Sequence, residues 1–189
     1  MATTINLRDL ITQEAQAQGV DPSIALAVAQ TESGTKQWTA AGNLVTSSTG
    51  ALGVFQLEPS TAAGLGVDPT DVNQNIQGGI TYLKQLYAQY GDWNTALAAY
   101  NWGPGNVNNV LSGIGAIPGE VVNYVKKVLG IGQTYSTGLT QVAQNAAASV
   151  TLPGVSVSDI SNSISGLSPG MIAVGLVVGV GLLVLWMGD

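Results

Sequence analysis

Residues 171–187 carry no charged or strongly polar side chain. A helix built from that run is apolar on every face, so it must be enclosed by protein or by lipid. At 1.5 Å per residue it extends roughly 26 Å, near the lower limit for crossing a bilayer. Ser168–Pro169 offers a helix start, and Trp186 suits a membrane interface. The pattern predicts a single C-terminal transmembrane helix over 169–187 that partners with membrane lipid; a buried helix in a larger assembly is the other reading. Gly175 and Gly179 form a small-xxx-small pair, which makes a homo-oligomer a candidate assembly. No Lys or Arg flanks the run, so charge encodes no orientation.

The rest of the chain falls into two zones. Residues 1–130 predict a compact, mostly α domain. Leu7, Leu10, Ile11 and Ala15 keep helical spacing up to a stop at Gly19. Asp21–Pro22 then provides an N-cap with proline in the first turn, for a helix through Ile24, Ala27 and Val28 that ends at Ser33–Gly34. A polar loop follows to Gly50, with room for small hairpins in 35–50. Short helices are expected at 60–63 and from an Asn94 cap to about Trp102. The longest runs over 75–90, with Ile76, Ile80, Leu83 and Leu86 on one face, and the last over 120–129. No stretch alternates as a strand should. Residues 131–168 turn to Gly, Ser, Thr, Gln and Ala, with Asp159 the lone charge, and are expected to form a flexible linker. Leu139, Val142 and Ala146 suggest only a weak helix there.

Absent residue types restrict the chemistry. The chain has no histidine and no cysteine, which removes serine–histidine triads, thiolate nucleophiles and the commonest zinc ligands. If it is an enzyme, carboxylates must move its protons, and no metal or cofactor is expected. Net charge is −6 with only five Lys and Arg residues, so no basic row exists to neutralise phosphates and nucleic acid is not an expected partner. Met1–Ala2–Thr3–Thr4 has neither the basic start nor the apolar run of a secretory signal, so export by that route is not expected.

Among the carboxylates Glu32 has a distinct position. It lies four residues after Val28 and eight after Ile24, on the face that meets the core, in the last turn of its helix. Desolvation and the negative helix end both disfavour the ionised form and raise the pKa. A glutamate kept protonated near neutrality suits donation to a glycosidic oxygen. A carboxylate at a helix end that simply reaches water is the alternative.

The surrounding pattern resembles a known family. Gly19–Val20–Asp21–Pro22–Ser23 and Gln30–Thr31–Glu32–Ser33–Gly34 resemble the acid-bearing helix of the soluble lytic transglycosylases, in the lysozyme-like superfamily. Gly50–Ala51–Leu52–Gly53–Val54–Phe55–Gln56–Leu57 resembles their glycine-leucine-methionine-glutamine segment, and 73–90 their central helix. Ala98–Ala99–Tyr100–Asn101–Trp102–Gly103 resembles their alanine-tyrosine-asparagine motif, and Ile117–Pro118–Gly119–Glu120 with Tyr124–Val125 the closing element. The five pieces occur in family order.

The resemblance implies a lysozyme-like helical domain that cleaves peptidoglycan glycan strands between N-acetylmuramic acid and N-acetylglucosamine. It implies Glu32 as the single catalytic acid and base, with closure of a 1,6-anhydro ring. Ser33 matches a residue that orients substrate or acid, and Gly53, Phe55 and Gln56 match the segment lining the glycan cleft. Tyr100 and Asn101 match cleft residues, the tyrosine hydrogen-bonding near the acid; Glu120 and Tyr124 match a supporting pair on the far wall. Phe55 stands where the family commonly has methionine, Glu58 occupies a position usually apolar, and the loop over 34–49 is several residues longer. Proline-to-glutamate spacing near Glu120 is one residue shorter. A hydrolase like goose-type lysozymes, with Glu58 or another acid as second carboxylate, is the alternative; a non-catalytic glycan-binding membrane protein is another. An enzyme domain joined to a membrane helix without a leader suggests a bacteriophage virion protein that opens the wall during genome delivery, in company with other virion proteins. A bacterial envelope or secretion-system transglycosylase is the alternative location.

Overall fold

A computed structural model describes residues 6–149, with side chains to residue 136. The described chain is helical: α1 (Leu7–Gln18), α2 (Pro22–Ser33), α3 (Pro59–Leu65), α4 (Val72–Tyr90), α5 (Trp93–Trp102), α6 (Pro104–Leu111) and α7 (Gly119–Ser149). It divides into two units, Met1–Gly132 and Gln133–Asp189, with the division inside α7. The predicted transmembrane helix over 169–187 and most of the predicted linker lie outside the described residues. Among the described residues, no helix is long and apolar enough to cross a membrane.

α2 is the central element of the first unit. Every residue from Pro22 to Ala29 is buried, so this helix is enclosed on all sides rather than along one stripe. Its small residues, Ala25, Ala27 and Ala29, let neighbours come close. α1 packs on both α2 and α4, α4 on α3 and α5, and α5 on α6. α7 approaches α2 at Gly132, where a Cβ would lie 3.5 Å from Ile24 Cδ1 and 3.6 Å from the Ser23 carbonyl. Phe55, Ile76, Ile80, Leu83 and Leu97 fill the centre.

The caps explain the boundaries. Asp21 accepts from the Ser23 N–H at 2.8 Å, and Pro22 follows it at the first helical position. At the other end of α2, the Gly34 N–H donates to Gln30 and the Thr35 N–H to Ala29, closing the last carbonyls. α5 begins earlier than the expected Asn94 cap. Asp92 is the cap, and its carboxylate accepts from the Thr95 N–H at 2.9 Å. α6 was not expected; Gly103, at φ 91, turns the chain and Pro104 starts the new helix. α7 continues well past residue 129 into the zone expected to be linker, and is helical to Ser149.

The loop between α2 and α3 builds no strand and is tied by single bridges. Isolated antiparallel bridges pair Trp38 with Leu44, Thr46 with Leu52, and Leu52 with Leu57.

Candidate active site

Glu32 sits in the last turn of α2, one residue before the closing Ser33–Gly34. The Tyr124 hydroxyl of α7 donates to its Oε1 at 2.6 Å. Burial raises the Glu32 pKa above the ordinary 4.5, while the Tyr124 hydrogen bond and the Lys127 charge pull it down; burial wins. Tyr124 itself is held well above the ordinary tyrosine range by burial and the neighbouring Glu32 and Tyr100. It therefore remains a donor wherever the carboxyl titrates.

A cleft of about 570 Å³ opens over this carboxyl, lined by Thr31, Glu32, Asn101, Glu120, Asn123, Tyr124 and Lys127. Four of these, Glu120, Asn123, Tyr124 and Lys127, follow i, i+3, i+4, i+7 spacing and form one face of α7. The neighbouring stripe, Val121, Val125 and Val128, is buried in the core. One amphipathic helix thus supplies most of a wall. Asn101 reaches the cleft from the end of α5, and Thr31 and Glu32 from α2. The Thr31 hydroxyl is buried and has no hydrogen-bond partner among the described residues.

Behind the acid, four side chains hold a single dipeptide. Gln37 Oε1 accepts from the Val54 N–H at 2.9 Å, and Ser33 Oγ donates to the Val54 carbonyl at 2.8 Å. Asn75 Oδ1 accepts from the Phe55 N–H at 2.9 Å, and the Tyr100 hydroxyl donates to the Phe55 carbonyl at 2.7 Å. All four backbone groups of Val54–Phe55 are paired, as buried backbone requires. Gly53, at φ 74, is obligatory here, since a Cβ would fall 2.4 Å from Gln37 Oε1 and 2.5 Å from Asn75 Nδ2. Gln56 follows with a positive φ of 47, its side-chain amide donating to the Gly53 carbonyl at 2.7 Å.

The expected site residues therefore separate. Asn101, Glu120 and Tyr124 share the cleft with Glu32. Ser33, Gly53, Gln56 and Tyr100 belong to the packed layer behind it. Phe55 is a correction: its side chain is fully buried and lies where a Cβ on Gly79 would be, 2.2 Å from its Cγ, so it offers no apolar cleft contact. The hydroxyl that bonds the acid belongs to Tyr124; that of Tyr100 is spent on the Phe55 carbonyl. Glu58, weighed as a second carboxylate, precedes α3, accepts from Thr49 Oγ1 at 3.0 Å and does not line the cleft. Sequence reasoning missed Thr31, Asn123 and Lys127 in the cleft and Gln37 and Asn75 behind it. The polar i, i+3, i+4, i+7 face beside the valine stripe was the available signal for Asn123 and Lys127. Among the described residues, no group of three or more acidic side chains could hold a metal ion.

The transglycosylase SLT domain model matches residues 9–123. The chain belongs to the SLT transglycosylase family. The chain is similar to the transglycosylase of Enterobacteria phage PRD1, 35% identical over 153 residues, covering 80% of this chain and 55% of that protein. It is 38% identical over 103 residues to membrane-bound lytic murein transglycosylase F of Serratia proteamaculans (strain 568), covering 50% of this chain and 20% of that one. Among solved structures, the 70 kDa soluble lytic transglycosylase of Escherichia coli superposes with a TM-score of 0.60 at 30% identity, over 69% of this chain and 24% of that one. The chain thus spans about half the length of the phage relative and about a fifth of the Serratia one.

Proposed function

We propose that this SLT-family protein is a peptidoglycan lytic transglycosylase with Glu32 as its one acid and base. The observation that carries the reading is a carboxyl whose burial raises its pKa, held by Tyr124 at the floor of an open polar cleft. Protonated Glu32 donates to the oxygen linking N-acetylmuramic acid to N-acetylglucosamine. The bond from the anomeric carbon breaks, its electron pair leaves with that oxygen, and the substrate's acetamido group stabilises the positive charge left behind. Ionised Glu32, still bonded by Tyr124, then takes the proton of the muramoyl 6-hydroxyl, and that oxygen closes on the anomeric carbon. The proton returns to Glu32 and no water is consumed.

The hydrolytic alternative has Glu120, the other carboxylate lining the cleft, activate a water. Mass analysis of released muropeptides decides between them: anhydro ends support the lyase, reducing ends the hydrolase. Glu32→Gln should lower release by about 10²–10⁴-fold, the usual worth of a positioned general acid; unchanged release would remove Glu32 from the reaction.

The similarity to a phage transglycosylase supports a role in local wall opening during genome delivery, and the apolar run over 169–187 suits a lipid anchor. Detection of the chain in purified virions is the expected result, and its absence there would favour a bacterial envelope enzyme.

A further inference from the structure

The cleft is electrically asymmetric along α7. Glu120 and Lys127 lie on the same helix face, seven residues and roughly 10 Å apart along the axis. Tyr124, which holds Glu32, lies between them. Both charged residues are exposed. Among the described residues, Lys127 is the only cation lining the cleft and makes no ion pair there. Asn101 and Asn123 already offer neutral donors and acceptors suited to sugar hydroxyls and acetamido groups. A full positive charge beside them, in a chain of net charge −6, selects for something a neutral sugar does not carry.

We infer that Lys127 is a specificity-determining residue that receives a carboxylate borne by the C3 substituent of a muramoyl unit, while Glu120 repels that substituent from the opposite end of the cleft. The inference rests on the proposed action on muramoyl strands. It follows because only every second sugar of such a strand bears that substituent. Seating it on the Lys127 side therefore chooses the register, and with it which of the two alternating glycosidic bonds lies over Glu32. The carboxylate has two sources: the free lactyl acid of strands stripped of peptide, or an acid group of an attached peptide stem.

Binding is best measured in full-length chains carrying Glu32→Gln, so that the effect of Lys127 on the acid does not enter. Lys127→Gln in that background should raise Kd for carboxylate-bearing strands about five- to tenfold. Lys127→Glu should raise it further, and Lys127→Arg should restore it. Affinity for an uncharged N-acetylglucosamine oligomer should not move. The salt dependence of strand binding should also flatten in Lys127→Gln. Amidase-stripped strands and stem-bearing strands are compared in parallel; the one losing more identifies the source, and equal loss assigns both. Equal loss on charged and uncharged ligands, or an unchanged Kd on every strand, overturns the inference. Failure of the proposed activity reads out separately, as no fragment release from any strand by the protein with Glu32 and Lys127 intact.

Discussion

At the scale of single residues, the site depends on a carboxyl kept partly dry and a phenol that never loses its proton first. Because the Glu32 pKa is raised in the folded state, the folded chain holds this proton more tightly than the unfolded one. Below the ordinary value of 4.5 the group is protonated in both states and costs nothing. As pH climbs through that value and then through the raised one, stability is lost. Glu32→Gln, which keeps an acceptor for Tyr124, should therefore raise the thermal midpoint at about pH 7. That gain should close in acid, and calorimetry across pH checks it. Tyr124→Phe removes a hydrogen bond that favours the ionised carboxyl. The Glu32 pKa should rise further, and the descending limb of the kcat/KM pH profile should move to higher pH. The same change in Tyr100 should leave that limb nearer its place, since the Tyr100 hydroxyl bonds the Phe55 carbonyl instead.

At the scale of elements, the segment 53–56 is held mainly by side chains, because it has no sheet to belong to. Asn75, fully buried in α4, accepts from the Phe55 N–H and donates to the carbonyls of Leu52 and Pro69. Asn75→Leu fits the volume approximately but leaves the buried Phe55 N–H without its acceptor and takes one donor each from the Leu52 and Pro69 carbonyls, which keep the Leu57 N–H and the Gln37 amide. It should cost about 3 kcal/mol or more in urea unfolding, whereas Asn73→Ala on the exposed side of α4 should stay within about 0.5 kcal/mol. The Asn75 effect should reach activity too, since Ser33 and Tyr100 hang on the same dipeptide. Sequence periodicity announced α4 itself but not this role, because a buried asparagine in a helix looks like any polar residue until its partners are in view.

At the scale of the whole molecule, the SLT domain and the apolar run over 169–187 pose different physical problems, and one prediction separates them. The full chain should float with liposomes in a density gradient, and a chain lacking 169–187 should stay at the bottom; flotation of both would place lipid binding elsewhere. Local chemistry alone determined a good deal here. Without histidine or cysteine, the chain has carboxylates as its proton-transfer groups near neutrality. Asp21–Pro22 and Gly34 bounded α2 correctly, and the ordered motifs pointed to the family. Caps and periodicity are legible because they act within a few residues. The tertiary structure decided which tyrosine holds the acid, that Phe55 faces inward, and that Lys127 joins the cleft. Tyr124 and Glu32 are 92 positions apart, and a contact that distant depends on how α7 lies against α2, which no short pattern in either helix encodes.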